Sequence, residues 1–230
     1  MRDRLILLPG WGLGVSPLEP LAAALRGLDE RLRVDIEPLP VLTSSDPDEW
    51  LDELDATLPD NAWLGGWSLG GMLASELAAR RGDRCCGLLT LASNPCFVAH
   101  EGWPSAMPAE TFDAFLAGCH ADSQVTLKRF GLLCAKGTQD PRGIARLLVS
   151  SAPATASSAL MSGLELLAHL DTREALPACR GPQVHVFAGL DELVPCEAAT
   201  ELLKLLPDVE VGLGEQAGPA CRLDPHHGVA

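Results

Sequence analysis

Six short apolar runs, separated by helix-like stretches, set the first limit on what this chain can fold into. The runs are Leu5–Leu8, Val34–Ile36, Ala62–Leu64, Leu88–Ala92, Val184–Ala188 and Val209–Leu213. Each is too short for a helix, and each is mostly apolar, as suits a buried strand. Helical periodicity fills about 17–26, 48–57, 69–81 and 197–206. Such alternation predicts an α/β chain with a mainly parallel sheet flanked by helices. Reactive groups then belong on loops at the carboxyl ends of the strands.

One segment breaks the rhythm. From about Trp103 to His169 no strand pattern appears, and helical patterns lie near 109–119, 122–135, 139–151 and 156–169. This reads as a four-helix insertion placed to act as a lid over the carboxyl ends of the strands. The expected organisation is a core of residues 1–102 and 170–230 with a lid at 103–169.

The stretch GGWSLGG, residues 65–71, carries the sharpest chemical signal. Within it Gly66-Trp67-Ser68-Leu69-Gly70 stands where a strand pattern ends and a helix pattern begins. A tight turn there needs glycine at 66 and 70, where side chains would collide. It pushes Ser68 outward as a candidate nucleophile and leaves the Leu69 amide at a helix N-terminus, able to donate to an oxyanion. A second donor is expected after the first run, in Pro9-Gly10-Trp11-Gly12, with the Trp11 amide as candidate. The acid that orients a base is expected after a later strand, where VFAGLDELVP supplies Asp191. The order Ser, then Asp, then His is that of α/β-hydrolases.

Charge separates the lid from the rest. The chain carries a formal net charge of -14, which argues against nucleic acid and anionic membranes as partners. Yet residues 120–150 hold Lys128, Arg129, Lys136, Arg142 and Arg146 against Asp122 and Asp140, a local surplus of +3. Charge counting alone allows either a solvated helix face or a landing patch for an acidic partner. The eight cysteines form no CxxC pair, and no Cys/His cluster has zinc spacing, so neither a metal nor an organic cofactor is expected. The apolar run at the start is stopped by Pro9 and Gly10, too early for a signal peptide or a membrane span. A cytoplasmic monomer with free thiols is the expectation.

LLPGWGLG, WLGGWSLGGMLASELA, LTLASNPCFVAHEGWP, GLELLAHLDTREAL and FAGLDELVP together resemble the pimeloyl-acyl-carrier-protein methyl ester carboxylesterases of biotin synthesis. The resemblance runs from about Leu5 to Pro207 and includes the lid. It implies an α/β-hydrolase fold and a serine esterase acting on the methyl ester of pimeloyl-acyl-carrier-protein. It implies Ser68 as nucleophile, Asp191 as orienting acid, and Trp11 and Leu69 as oxyanion and substrate contacts. It implies Phe130 as a wall of the acyl channel, and Arg129, Arg142 and Arg146 as contacts to the acidic carrier. Val125 stands where some members have a further arginine, and Pro9 replaces a common His.

The base is where the resemblance fails. The family's histidine belongs in a Gly-His-Ala setting after the last run, and here that place reads Gly218-Pro219-Ala220. Proline offers no proton acceptor. His226 and His227 alone lie beyond Asp191, seven and eight residues past the expected place, while His100, His120, His169 and His185 precede it. Two other readings therefore stand beside the methyl esterase: a broad short-chain carboxylesterase or thioesterase, and a non-catalytic binder of acyl-carrier protein.

Overall fold

The six runs become six strands of one parallel sheet. The computed structural model describes residues 3–138 and 140–214. The strands are β1 (Arg4–Leu8), β2 (Arg33–Ile36), β3 (Ala62–Trp67), β4 (Cys85–Leu91), β5 (Gln183–Ala188) and β6 (Glu210–Gly214), in the order β2-β1-β3-β4-β5-β6. The order reverses between β1 and β3, so the loops leaving those two strands diverge and open a crevice at their carboxyl ends. The α/β-hydrolase fold expected from the sequence is the fold observed.

Leu5, Ile6, Leu7 and Leu8 are all buried, as a central strand covered on both faces requires. The covering helices are α1 (Glu19–Leu28), α2 (Pro47–Thr57), α3 (Leu69–Arg81) and α9 (Glu197–Leu205). Asp46 starts α2 by accepting from the Asp48 amide at 3.0 Å, with Pro47 at the first helical position. Arg81 closes α3 from inside the protein. Its guanidinium meets Asp55 at 2.6 Å and the carbonyls of Asp55, Leu58 and Pro59, so the buried charge is fully paired.

Between β4 and β5 lie α4 (Ala109–Ala121), α5 (Ser123–Cys134), α6 (Pro141–Ser150) and α7 (Ser157–His169). Asp122 caps α5 by accepting from the amides of Gln124 and Val125, both at 3.0 Å, and Asp140 caps α6 through Gly143 at 2.9 Å. The two acidic residues of the basic segment are therefore N-caps. Edge-to-face ring pairs fasten these helices to the core, with Trp11 5.7 Å from Phe115 and 5.3 Å from Phe130. The stretch leading in from β4 is knotted through Asn94, which accepts from Trp103 Nε1 and donates to the Ser105 carbonyl, both at 2.8 Å. A short helix, α8 (Ala175–Ala178), precedes β5 and has no counterpart in the sequence pattern. No helix among the described residues is long and apolar enough to cross a membrane.

Candidate active site

Ser68 stands between β3 and α3 with φ 53° and ψ -120°. A non-glycine residue held there stores about 1–3 kcal/mol of backbone strain, which persists only where the surroundings enforce it. The surroundings do so here. A Cβ on Gly66 would lie 2.3 Å from the Gly70 carbonyl carbon, and one on Gly70 would lie 2.4 Å from the carbonyl oxygens of Leu8 and Pro9. Both glycines are required by close backbone approach, as the motif implied.

The loop after β1 reaches the same place. A Cβ on Gly10 would sit 3.6 Å from the Ser68 Cβ, so this loop lies against the elbow. Among the described residues neither the Trp11 amide nor the Leu69 amide has a protein acceptor. The Leu69 amide opens α3, where the exposed ends of aligned peptide dipoles favour negative charge. The Trp11 ring is buried, and its Nε1 donates to the Leu160 carbonyl of α7 at 2.8 Å. Trp11 therefore ties the loop to the helical insertion.

Asp191 follows β5, in the loop the sequence indicated. Its Oδ1 accepts from the amides of Leu193 and Val194 at 2.8 and 3.0 Å. Its Oδ2 is shut off from solvent and has no hydrogen-bond partner among the described residues. An ionised carboxylate with an orphaned buried oxygen is costly, and burial raises its pKa from 3.8 to about 6. The sign follows from linkage. The folded protein binds the proton more tightly than the unfolded chain, so the penalty is absent below about pH 4, grows to pH 6 and is constant above. Two units correspond to about 3 kcal/mol. Asp191→Asn is expected to melt several degrees above the unmodified chain at pH 8 and within a degree or so of it at pH 4. Thermal melts at the two pH values check this.

The described histidines stand elsewhere. His185 is buried in β5, where Nδ1 meets Thr90 Oγ1 at 2.7 Å and Nε2 meets Gln183 at 3.2 Å. Burial lowers its pKa to about 4, which suits the structural role its strand pattern suggested. His120 and His169 are exposed. His100 lies 3.4 Å from the Cys96 sulfur. Cys96, His100 and Asp171 offer ligand atoms within 4.8 Å of one another, a grouping that sequence spacing did not suggest. Arg173 already grips both Asp171 oxygens, at 2.8 and 2.5 Å, and burial pushes the Cys96 thiol up to about 12. The three form a satisfied network rather than an open ligand set. Pro219, His226 and His227 lie outside the described residues.

A cavity of about 450 Å³ lies beside the elbow, lined by Trp11, Leu13, Leu39, Trp50, Leu69 and Leu160 among others, with no charged side chain among the described residues. Phe130 is not among its walls. It is buried behind Trp11, packed edge to face on that ring. On the outer face of the insertion a second hollow, of about 850 Å³, is lined by Lys128, Leu132, Arg142, Ala145, Arg146, Leu147, Val149 and Ser150. Arg129, expected beside Arg142 and Arg146, is exposed on α5 but does not line this hollow. Lys128 does, because residues four apart share a helix face and Lys128 stands four before Leu132.

A chain of Shewanella woodyi named pimeloyl-acyl-carrier-protein methyl ester esterase is 36% identical, over 84% of this chain and 77% of its own length. The namesake from Aeromonas hydrophila is 37% identical, over 83% and 78%. The chain belongs to the pimeloyl-acyl-carrier-protein methyl ester esterase family. That membership makes it a carboxylic ester hydrolase. A biotin biosynthesis bifunctional protein of Cellvibrio japonicus is 34% identical over 87% of this chain but only 41% of its own length. No protein-family profile matches the chain. Among solved structures, an esterase from Exiguobacterium antarcticum superposes with a TM-score of 0.79 at 20% identity, over 93% of this chain and 84% of that one. An enol-lactonase from Burkholderia xenovorans does so at 0.78 and 15%, over 96% and 85%. These likenesses support the fold alone. Against this esterase family, the described residues supply the elbow, two unspent amides and a buried carboxylate awaiting a donor.

Proposed function

We propose that the chain hydrolyses the methyl ester of pimeloyl-acyl-carrier-protein to pimeloyl-acyl-carrier-protein and methanol, the reaction its relatives are named for. The observation that carries this reading is the strained Ser68 elbow, with the amides of Leu69 and Trp11 unpaired among the described residues around it. In this reading Ser68 Oγ attacks the ester carbonyl, and the two amides stabilise the oxyanion. Methanol leaves, and water releases the acid. In this reading Asp191 Oδ2 would accept the N–H of a histidine base, and the family's place for that base is held here by Pro219. Release of methanol from the carrier-bound ester, compared with Ser68→Ala, tests the assignment. Equal rates would defeat it.

The carrier is held, in this reading, by the insertion, which acts as a lid of residues 103–169 on a core of 1–102 and 170–230. Among the described residues every Lys and Arg has a carboxylate partner within 4.0 Å except Lys128, Arg129, Arg142 and Arg146. All four lie on α5 and α6. In a chain of net charge -14, four uncompensated cations on one two-helix surface favour an acidic partner over a merely solvated face. Arg142→Glu with Arg146→Glu is expected to weaken carrier binding about tenfold or more, chiefly through the association rate, with the loss shrinking as salt rises. Binding kinetics at two ionic strengths check this, and unchanged affinity would remove the lid from the docking surface.

A second reading is favoured by the neutral cavity beside Trp11, whose 450 Å³ far exceeds a methyl group. A broader short-chain carboxylesterase or thioesterase would use that space. Relative kcat/KM for p-nitrophenyl acetate, butyrate and hexanoate against the carrier-bound methyl ester separates the two. A chain that binds the carrier and cleaves none of these is the non-catalytic binder. No metal or organic cofactor enters the proposed reaction.

A further inference from the structure

The segment that leaves β4 touches Ser68 at both of its peptide groups. The Leu91 carbonyl accepts from the Ser68 amide at 3.0 Å, and the Ser93 hydroxyl donates to the Ser68 carbonyl at 2.9 Å. Ala92 between them has φ 42°, a conformation that turns Leu91 and Ser93 toward the elbow. The Ala92 amide donates to the Val186 carbonyl at 2.7 Å, which anchors the segment to β5. Ser93 is buried. The Ser68 carbonyl also accepts from Gly71 and Met72, at 2.9 and 3.1 Å, as the first turn of α3 begins. Of the three donors to that oxygen, Ser93 alone comes from outside the turn.

Gly71 completes the arrangement. A Cβ there would lie 2.8 Å from both the Cβ and the Oγ of Ser93. The strand–helix turn itself needs glycine at 66 and 70. The third glycine answers to the Ser93 side chain as well as to the turn, because a Cβ at 71 would also lie 2.9 Å from the Gly66 carbonyl oxygen.

We infer that Ser93 is a positioning residue for the Ser68 elbow, clamping the nucleophile's backbone from β4 in the space that the glycine at 71 leaves open. The inference rests on Ser68 being the nucleophile. A residue held at φ 53° relaxes toward ordinary backbone when one of its tethers is removed. The tether is buried, and without it the Ser68 carbonyl keeps only the two donors of its own turn, Gly71 and Met72, with nothing holding it from β4. Loss of Ser93 therefore loosens the elbow locally and misplaces the serine oxygen without altering the space in which an ester binds.

Amide exchange followed by mass spectrometry over peptides spanning 65–72 tests this on the full chain, in the unmodified form and in Ser93→Ala and Ser93→Thr. Ser93→Ala is expected to speed exchange of these amides about tenfold, the scale of one buried hydrogen bond, with little change elsewhere. Ser93→Thr keeps the hydroxyl and is expected to stay within about threefold of the unmodified chain on the same scale. Phosphonylation of Ser68 by an alkyl fluorophosphonate gives the chemical readout. The serine oxygen bonds to phosphorus, fluoride leaves and buffer takes the proton. Its maximal rate constant is expected to fall with Ser93→Ala while the half-saturating concentration holds. Exchange in Ser93→Ala equal to that of the unmodified chain would overturn the inference, as would Ser93→Thr exchanging as fast as Ser93→Ala. Exchange behaving as expected in a chain whose Ser68 is never labelled would leave the clamp standing and count against the esterase reading.

Discussion

Pro219→His is expected to raise ester turnover by about 10³-fold or more, the scale on which removal of a triad member slows related machinery. In the proposed reading Ser68 is the nucleophile and Asp191 the orienting acid of such machinery. Ser68 is on its elbow, and the Oδ2 of Asp191 is buried without a partner among the described residues. A histidine at 219 would donate one nitrogen to Asp191 and accept the Ser68 proton on the other. The same substitution should relieve the uncompensated carboxylate, so its benefit to stability should be larger at pH 8 than at pH 4. A p-nitrophenyl ester assay beside the unmodified chain measures the gain. Rescue by the tail makes the opposite forecast. Under it the unmodified chain is already active, and His226→Ala with His227→Ala abolishes the activity. Fast turnover that survives loss of both histidines would defeat both accounts.

Gly66→Ala should cost the fold itself. The added methyl would stand 2.3 Å from the Gly70 carbonyl carbon, 2.5 Å from its oxygen and 2.7 Å from the Gly71 nitrogen. All three are backbone atoms at the start of α3, and none can swing aside as a side-chain tip would. Overpacking of this kind costs about 1–3 kcal/mol where side chains can adjust, and rigid backbone places this case at or above the upper end. For a chain of this length that corresponds to a fall in Tm of roughly 6–12 °C. Labelling of Ser68 by fluorophosphonate should be lost with it. A Gly66→Ala chain that melts and labels like the unmodified one would show that the elbow tolerates a side chain there.

Much of this was legible from periodicity and motif. Leu5–Leu8 reads as a strand because four apolar residues in a row, ended by Pro9, suit only a strand covered on both faces. Ser68 reads as an elbow because glycines stand on each side at the spacing the turn needs. Asp191 reads as a loop acid after β5, and the structure adds what no pattern carries, an oxygen left without a partner among the described residues. Other features depend on where the chain meets itself. The clamp from Ser93 joins residues 25 apart. The pairing of Cys96 with Asp171 spans 75 positions, and neither spacing marks a contact. Lys128 was visible as charge, but its place at the hollow in preference to Arg129 depends on which face of α5 meets α6. The short helix α8 is a single turn, below what periodicity can register.

The seam between the loop after β1 and the insertion bears on modularity. Trp11 bonds to the Leu160 carbonyl, and Gly163 is small because a Cβ there would crowd the Trp11 ring at 3.1 Å. Gly12 and Gly14 face Leu127 and the Ser151 carbonyl, where a Cβ would stand at 2.7 and 2.0 Å. The helical insertion and the loop bearing the Trp11 amide are thus cut to one another like two halves of a hinge. An insertion exchanged between relatives would have to travel with its own segment at 10–14, because a foreign insertion would reset the Trp11 backbone and with it the direction of the amide. On the proposed reading, carrier preference and chemical competence would be inherited as a single cassette.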